Sequence, residues 1–233
     1  MQLSKRLMAC CDFVNTGDRV ADVGCDHGYL SIHLLKNNIA SQVIASDINE
    51  GPLRSAMQNA DKLGIIDNIR FYLSDGVVSI PREFDTMICA GMGGDTMISI
   101  LEAAPWLKCG QYRLILQCQS KTHMLRQYLS DNGWTTGREK VVRDGRFLYT
   151  VTEVLWQPNA PRLTPGELYF PSALLADPGE DVAEFYQRLL FSLRRAIHGR
   201  KEQADPQMVT ALAQLEPLET EHIWLKEATT WQP

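Results

Sequence analysis

The sequence contains no apolar run near the roughly 20 residues that cross a bilayer, and its first residues lack the apolar core and cleavage site of a signal peptide. Six cysteines are present, but none forms a CxxC pair, and no cysteine–histidine spacing matches a zinc site. The five histidines are scattered along the chain. These absences predict a cytoplasmic protein with reduced thiols, no membrane partner and no bound metal.

A strong excess of positive charge is also absent. The chain has 23 Lys and Arg against 28 Asp and Glu, which gives a formal net charge of −5 at pH 7. This balance argues against a protein that binds nucleic acid indiscriminately, although a local basic patch would still allow specific binding. With 233 residues, 45% of them hydrophobic, the chain is long enough for one complete α/β domain and an additional segment.

Apolar strand patterns alternate with helical patterns through most of the chain. The predicted strands lie at 19–21, 42–49, 69–73, 84–90 and 112–118, and helical spacing occurs at 3–14, 29–35, 51–63, 95–104 and 121–132. This alternation predicts a parallel sheet covered on both faces. Two more strands, 141–143 and 147–156, flank Asp144–Gly145, a pair typical of an antiparallel hairpin. The predicted fold is therefore an α/β, Rossmann-like, seven-stranded sheet with an antiparallel edge hairpin.

The strand patterns end at a linker that contains Pro158 and Pro161. Helical spacing then covers residues 181–200 and, after the capping pair Asp205–Pro206, residues up to Pro217, which should kink or break the helix. We predict a coiled-coil-like helical hairpin here. The predicted domains are 1–157, which holds the sheet, and 158–233, which either stabilises the sheet domain or binds a partner.

The turn Asp22–Gly28 follows the first strand and precedes a helix, so it lies at a helix N-terminus that suits a polar ligand. A dinucleotide-binding turn has glycine at the middle of its G-x-G-x-x-G motif, but here that position is Asp26. Asp22 and Asp26 together disfavour a pyrophosphate and favour a ligand with a cationic end. S-adenosylmethionine has such an end, which predicts a methyltransferase.

Acidic residues at two further strand ends fit the rest of that cofactor. Asp47 suits the ribose hydroxyls, and Asp75 suits the adenine amine, because the carboxyl ends of parallel strands meet at one edge of the sheet. The predicted cofactor-binding residues are Asp22, Gly24, Asp26, Gly28, Asp47, Ile48, Asp75, Gly76, Gly91 and Met92.

Four motifs carry a resemblance to a known family: Leu3–Leu7, Asp22–Leu30, Ala90–Gly94 and Leu114–Gln117. Together they resemble the bacterial tRNA (adenine(22)-N1)-methyltransferases of the class I S-adenosylmethionine-dependent superfamily. The resemblance covers nearly the whole chain. It implies transfer of a methyl group from S-adenosylmethionine to N1 of adenine 22 in tRNA.

At two positions the sequence departs from the family pattern, which has proline in place of Ser31 and in place of Cys118. A departure at Cys118, if it lies near the target base, would affect placement of the substrate more than binding of the cofactor.

The predicted catalytic residues are Asp26 and His27. A carboxylate near the exocyclic amine would stabilise the positive charge that methylation creates on the adenine, whereas the simpler interpretation of Asp26 is a helix cap. His27 is expected to orient the loop and the substrate. The motif Gly91–Gly94 has no side-chain amide to hold an exocyclic amine, which favours a ring nitrogen as the target.

The tRNA contacts are predicted from two basic clusters and from the family motifs, and the alternative for each cluster is a solvated charged face. The predicted contact residues are Ser4, Arg6, Gln117, Arg138, Lys140, Arg143, Arg146, Arg194 and Arg195, with Arg200 and Lys201 beside the last two. The expected assembly is a monomer or a weak homodimer. Two alternative functions remain open: a methyltransferase for another substrate, and a non-catalytic protein that binds RNA or a partner.

Overall fold

The computed structural model describes residues 3–200 and 204–226. Lys201 and parts of the predicted C-terminal domain, namely 201–203 and 227–233, lie outside the described residues, as does the side chain of Arg200. The strands are β1 Asp18–Val23, β2 Ala40–Asp47, β3 Ile69–Leu73, β4 Thr86–Gly93, β5 Arg113–Ser120, β6 Trp134–Asp144 and β7 Phe147–Trp156. The helices are α1 Lys5–Cys11, α2 Tyr29–Lys36, α3 Glu50–Lys62, α4 Gly94–Glu102, α5 Thr122–Asp131, α6 Pro165–Tyr169, α7 Glu180–Arg200, α8 Pro206–Leu215 and α9 Leu218–Glu221.

In the described part of the chain the strands form one sheet in the order β3-β2-β1-β4-β5-β7-β6. Strands β1 to β5 are mutually parallel, and β7 runs antiparallel to both β5 and β6. The predicted Rossmann-like, seven-stranded sheet with an antiparallel edge hairpin is confirmed. The strand order reverses between β1 and β4, and this position determines where a ligand can bind.

Alternating side chains of each strand enter two separate apolar cores, one on each face of the sheet. In β1, Val20 packs with helices α1, α2 and α3, whereas Ala21 packs with α4 and α5. In β4 the same division separates Ile88 from Met87. Burial on both faces explains why these strands have apolar runs without polar alternation.

Three elements differ from the prediction. Strand β4 continues through Gly93, so the glycine motif is an irregular strand end, with register shifts on both sides of Met92, and not a free loop. Strand β6 begins at Trp134, earlier than predicted. The sequence did not reveal its first residues, because a register shift between Thr136 and Glu139 disrupts the alternation of side chains. Helix α6 lies just beyond the predicted linker, where no helix was expected, and its N-terminus has a capping box at Thr164.

The C-terminal helices pack together as expected and also pack on the sheet. Their apolar core includes Leu190, Leu193 and Leu215 and extends to Val141 of β6. The predicted boundary at residue 157 stays a prediction, and this core crosses it. None of the helices within 3–200 or 204–226 has the length and apolar character that a membrane span requires.

A buried arginine connects the C-terminal helices to the sheet. Arg126 of α5 forms an ion pair with Glu139 of β6, and the two side chains are only 3% and 0% exposed. The same guanidinium donates from Nη1 to the carbonyl oxygens of Leu168, at 3.1 Å, and Tyr169, at 3.3 Å, both in α6. One side chain therefore contacts α5, β6 and α6.

We predict that Arg126→Met lowers the free energy of unfolding by about 3–5 kcal/mol, because it leaves the Glu139 carboxylate buried without a counter-charge. The double variant Arg126→Met/Glu139→Leu should recover a large part of that loss. Urea unfolding followed by circular dichroism measures both. A loss below about 1 kcal/mol in the single variant would contradict the role of the ion pair.

Candidate active site

A cavity of about 400 Å³ lies at the carboxyl ends of the parallel strands, around the position where the strand order reverses. The turn after β1 forms one wall, and the ends of β2, β3 and β4 form the others. Ligands of open α/β sheets bind in this crevice, and the volume lies within the range for small-molecule sites, roughly 300–1,000 Å³. Most of the predicted cofactor residues line it.

Asp22 places a buried carboxylate at the base of the cavity. Its side chain is 3% exposed, and Ser31 Oγ donates a 2.6 Å hydrogen bond to its Oδ2. Burial raises the pKa of Asp22 to about 6, against the opposing effect of the Ser31 hydrogen bonds. Among the described residues, no cationic side chain forms an ion pair with Asp22. A cationic ligand would therefore supply the missing counter-charge.

The two glycines of the turn serve different purposes. Gly24 has a φ of +74°, a left-handed conformation that favours glycine, and the end of the Met92 side chain fills the space where its Cβ would lie. Gly28 does not line the cavity. A Cβ on Gly28 would lie 2.8 Å from the Cβ of Ala56, so this glycine allows α2 and α3 to approach closely. Gly28 therefore has a packing role in this structure, and the cofactor contact predicted for it stays a prediction.

Asp47 stabilises the turn and still faces the cavity. Its Oδ2 accepts from the Asp26 N–H at 3.1 Å and its Oδ1 accepts from the Asn49 N–H at 2.9 Å. Each carboxylate oxygen has a second lone pair, which suits a diol such as a ribose. Asp75 is exposed on the rim of the cavity. Ile48 also lines the cavity and is 60% exposed, which suits the apolar face of a purine.

Asp26 has an unusual backbone conformation. Its φ is +50°, in the left-handed region, which Asp and Asn tolerate better than other residues with a Cβ. Its N–H is held by Asp47, and its carboxylate is exposed at the rim, where Oδ1 lies 3.6 Å from His27 Nε2. Since Gly28 is the N-cap of α2, Asp26 does not serve as the simple helix cap considered from the sequence.

Gln117 is fully buried and does not line the cavity, so the base contact predicted for it stays a prediction. Its Oε1 accepts from Arg6 Nη1 at 3.0 Å and from the Gly91 N–H at 3.1 Å. Arg6 does line the cavity, and its Nε lies 3.8 Å from Asp144 Oδ2 at the end of β6. Gln117 therefore positions Arg6 against the end of β4.

The hairpin cluster of predicted tRNA contacts divides between two faces. Arg138 donates to the Phe13 carbonyl and to Glu153, and Lys140 Nζ lies 3.5 Å from Asp12, so both lie on the α1 face of β6. Arg143 points to the opposite face, where it pairs with Asp181 and Glu184 of α7 and connects the sheet to the C-terminal helices. Alternation along the strand separates them.

The other predicted tRNA contacts have local partners as well. Ser4 is the N-cap of α1 and accepts from the Leu7 N–H. Arg146 lies at the hairpin turn, Arg194 pairs with Glu216, and the Arg195 guanidinium lies 5.5 Å from the centre of the Phe191 ring. All except Ser4 remain exposed.

Sequence reasoning missed several site residues. Tyr29, Thr96 and Ile100 also line the cavity, and the first two follow the glycine motifs closely enough to have been inferred. Ser31, one of the two departures from the family pattern, donates a hydrogen bond from its hydroxyl to Asp22, which a proline could not do. Cys118, the other departure, is buried in β5 and does not line the cavity.

The strand order, the glycine turn after β1 and the acids at successive strand ends define a Rossmann-like methyltransferase fold and site. Consistent with this, a family model described as "Methyltransferase domain" matches residues 3–152. The chain belongs to this family. In residues 3–200 and 204–226, no group of His, Cys, Asp and Glu side chains could hold a metal ion.

Several similar proteins have a more specific activity in their names than the family model. The chain is 34% identical to the tRNA (adenine(22)-N(1))-methyltransferase of Bacillus subtilis over 152 residues, and this alignment covers 65% of this chain and 64% of that protein. The crystal structure of the B. subtilis M1A22 tRNA methyltransferase is 27% identical with a TM-score of 0.77, covering 97% of this chain and 98% of the other. A Streptococcus pneumoniae protein in complex with S-adenosyl-L-methionine is 26% identical with a TM-score of 0.81, covering 93% and 99%.

The raised pKa of Asp22 predicts a stability change. Because the folded pKa of about 6 lies above the ordinary 3.8, the favourable contribution of protonated Asp22 is complete below pH 3.8 and is lost as pH rises through 6. We expect the stability of Asp22→Asn relative to that of wild type to rise across this window, by about 3 kcal/mol between pH 4 and pH 7.5.

Urea unfolding of ligand-free protein at several pH values from 4 to 8 measures this gain. The change with pH is the informative quantity, since any pH-independent effect of the amide cancels. Ser130→Ala, which alters another buried serine far from the cavity, is the control and should show no such trend. A constant difference between Asp22→Asn and wild type would disprove the burial argument.

Proposed function

We propose that this protein transfers the methyl group of S-adenosylmethionine to N1 of adenine 22 in tRNA. The observation that carries the proposal is the buried Asp22 carboxylate, which lacks a cationic partner among the described residues and forms the base of a cavity at the β1–β4 edge. The similarity to the B. subtilis enzyme supports the substrate. We expect the protein to act in the cytoplasm, as a monomer or a weak homodimer.

Each part of S-adenosylmethionine has a suitable partner in the cavity. Its cationic end would lie near Asp22, its ribose hydroxyls near Asp47, and its adenine near Asp75 and Ile48. When bound, the cofactor supplies a methyl group on a positively charged sulfur. Gly24, Gly76, Gly91 and Met92 form the walls around these carboxylates.

The chemistry requires little from the protein beyond placement and charge stabilisation. N1 of adenine is unprotonated at neutral pH and attacks with its own lone pair, so no strong base is required. The protein must hold N1 in line with the methyl group and turn the base out of its stack, which costs a few kcal/mol. The cavity rim at Asp26, His27 and Arg6 is the position for that base.

Asp26 is suited to stabilise the product, because methylation at N1 makes the adenine cationic. An exposed carboxylate held in a fixed, left-handed backbone conformation can accept from the exocyclic amine as this charge develops. His27, 3.6 Å from Asp26, would orient the carboxylate and the base.

Exposed cations would bind the phosphates of the RNA. Arg138, Lys140 and Arg146 lie on or next to the hairpin, and Arg194 and Arg195 lie on α7. Arg143 is the weakest of the predicted contacts, because two carboxylates already neutralise it. If four phosphates are contacted, the affinity should fall steeply with salt.

We predict different effects for isosteric substitutions at Asp26, in the turn after β1, and at Asp47, the last residue of β2. Asp26→Asn should lower kcat about 100-fold, the scale of losing one charge-stabilising group, while changing the Kd for S-adenosylmethionine less than about threefold. Asp47→Asn should mainly weaken cofactor binding. Asparagine is chosen at position 26 because it tolerates the positive φ, whereas alanine would add backbone strain.

Single-turnover kinetics gives the methyl-transfer rate, and calorimetry gives the cofactor Kd. If Asp26→Asn weakens cofactor binding as strongly as Asp47→Asn, Asp26 belongs to the cofactor site and not to the chemistry.

The function itself is tested with purified protein, S-adenosylmethionine and an unmodified tRNA transcript that has adenine at position 22. Nucleoside mass spectrometry should detect 1-methyladenosine, and a matched transcript with guanine at position 22 should yield none. Cofactor binding without methylation of any tRNA would favour another substrate, and failure to bind the cofactor would favour a non-catalytic protein.

A further inference from the structure

The end of the β6–β7 hairpin presents aromatic side chains on one face. Phe147 pairs across the hairpin with Asp144, and Tyr149 pairs with Val142. Since alternate residues of a strand point to the same face, and paired residues share it, these four side chains lie on one side of the hairpin. Val142 packs on the core that includes α1, which identifies this as the α1 face.

This face is continuous with the cavity. Asp144, the cross-strand neighbour of Phe147, lies 3.8 Å from Arg6, and Arg6 lines the cavity. Directly paired side chains have Cβ atoms about 4.5–5.5 Å apart. One side chain, Asp144, therefore lies between Phe147 and Arg6, which forms part of the wall of the proposed methyl-transfer site.

The chemistry of this surface suits an unstacked base. Phe147 is 49% exposed, its ring centre lies 6.0 Å from that of Tyr149, and the Arg146 guanidinium lies 4.9 Å from the centre of the Phe147 ring. Arg138 and Lys140 continue along the same face toward α1. Exposed aromatic rings beside cations are what proteins use to bind single-stranded nucleotides.

We propose that Phe147, with Tyr149 and Arg146, is a stacking surface for an unpaired nucleotide next to the methylated adenine in the RNA substrate. This inference rests on the proposed function. Turning the target adenine out of its stack leaves a neighbouring base without a partner, and a ring at this distance from the cavity would replace the lost stacking. The cations beside Phe147 favour RNA over an apolar protein partner.

The test is the affinity for the unmodified tRNA transcript, measured by fluorescence anisotropy at several salt concentrations. Phe147→Ala should raise the Kd about tenfold, as expected for one base–aromatic contact. Phe147→Trp should keep wild-type affinity, while Phe147→Leu, which retains apolar volume without a ring, should behave like alanine. The slope of affinity against salt should not change for Phe147→Ala and should decrease by about one for Arg146→Ala.

Leu63→Ala is the matched control, because Leu63 is 41% exposed at the end of α3 on the opposite edge of the sheet. Its tRNA affinity should equal that of wild type. The Kd for S-adenosylmethionine should stay the same in all Phe147 variants. As a direct readout, 2-aminopurine placed beside the target adenine should lose fluorescence on binding wild type, but not on binding Phe147→Leu.

Three results would overturn the stacking proposal: a tRNA Kd for Phe147→Ala equal to that of Leu63→Ala, equal affinities for the leucine and tryptophan variants, or a parallel loss of cofactor affinity. These results leave the proposed function intact, provided that wild type forms 1-methyladenosine. Absence of methylation by wild type, in contrast, would reject the proposed function itself.

Discussion

The burial of the Asp22 carboxylate is the constraint on which the active-site half of the molecule depends. A carboxylate with so little access to water must be stabilised by hydrogen bonds, be neutralised by a proton, or form an ion pair with a cation. Ser31 supplies the hydrogen bonds from the first turn of α2. The tight turn that brings α2 over Asp22 needs Gly24, and Asp47 secures the same turn through the Asp26 N–H. Ligand-free stability is thus lower than it would be with a neutral residue here, as is common at functional sites.

The second organising constraint is the two-residue alternation of the β6–β7 hairpin. One face carries Glu139, Val141 and Arg143, which hold α5 and the C-terminal helices. The other face carries side chains that contact α1 and the cavity, including Asp144. A single hairpin therefore connects the described C-terminal helices with the face next to the cavity, and a one-residue slip would exchange the two sets of contacts.

The sequence was sufficient for the Rossmann-like, seven-stranded sheet with its antiparallel hairpin, because buried strands leave apolar runs and the hairpin leaves the Asp144–Gly145 pair. The cofactor residues stay a prediction, and the structure places most of them around one cavity. The sequence was insufficient where the partner of a side chain depends on contacts between residues that are distant along the chain. From the sequence, Gln117 suits either a base contact or the end of a strand, and only the folded chain shows that its side chain bonds to Arg6 and Gly91. The Arg126–Glu139 pair depends on the strand register after a shift between Thr136 and Glu139, which no local pattern reveals.

The contacts of Arg126 also have a consequence for folding during synthesis. Its carboxylate partner Glu139 follows only 13 residues later, whereas the carbonyl oxygens of Leu168 and Tyr169 are more than 40 residues downstream. The last strand, β7, ends at Trp156 and therefore leaves the ribosome before α6, whose carbonyl oxygens accept from the guanidinium. A nascent chain at that stage presents a charged, half-covered surface that the C-terminal helices close last, and ribosome stalling between these lengths would leave that surface open to chaperones and proteases.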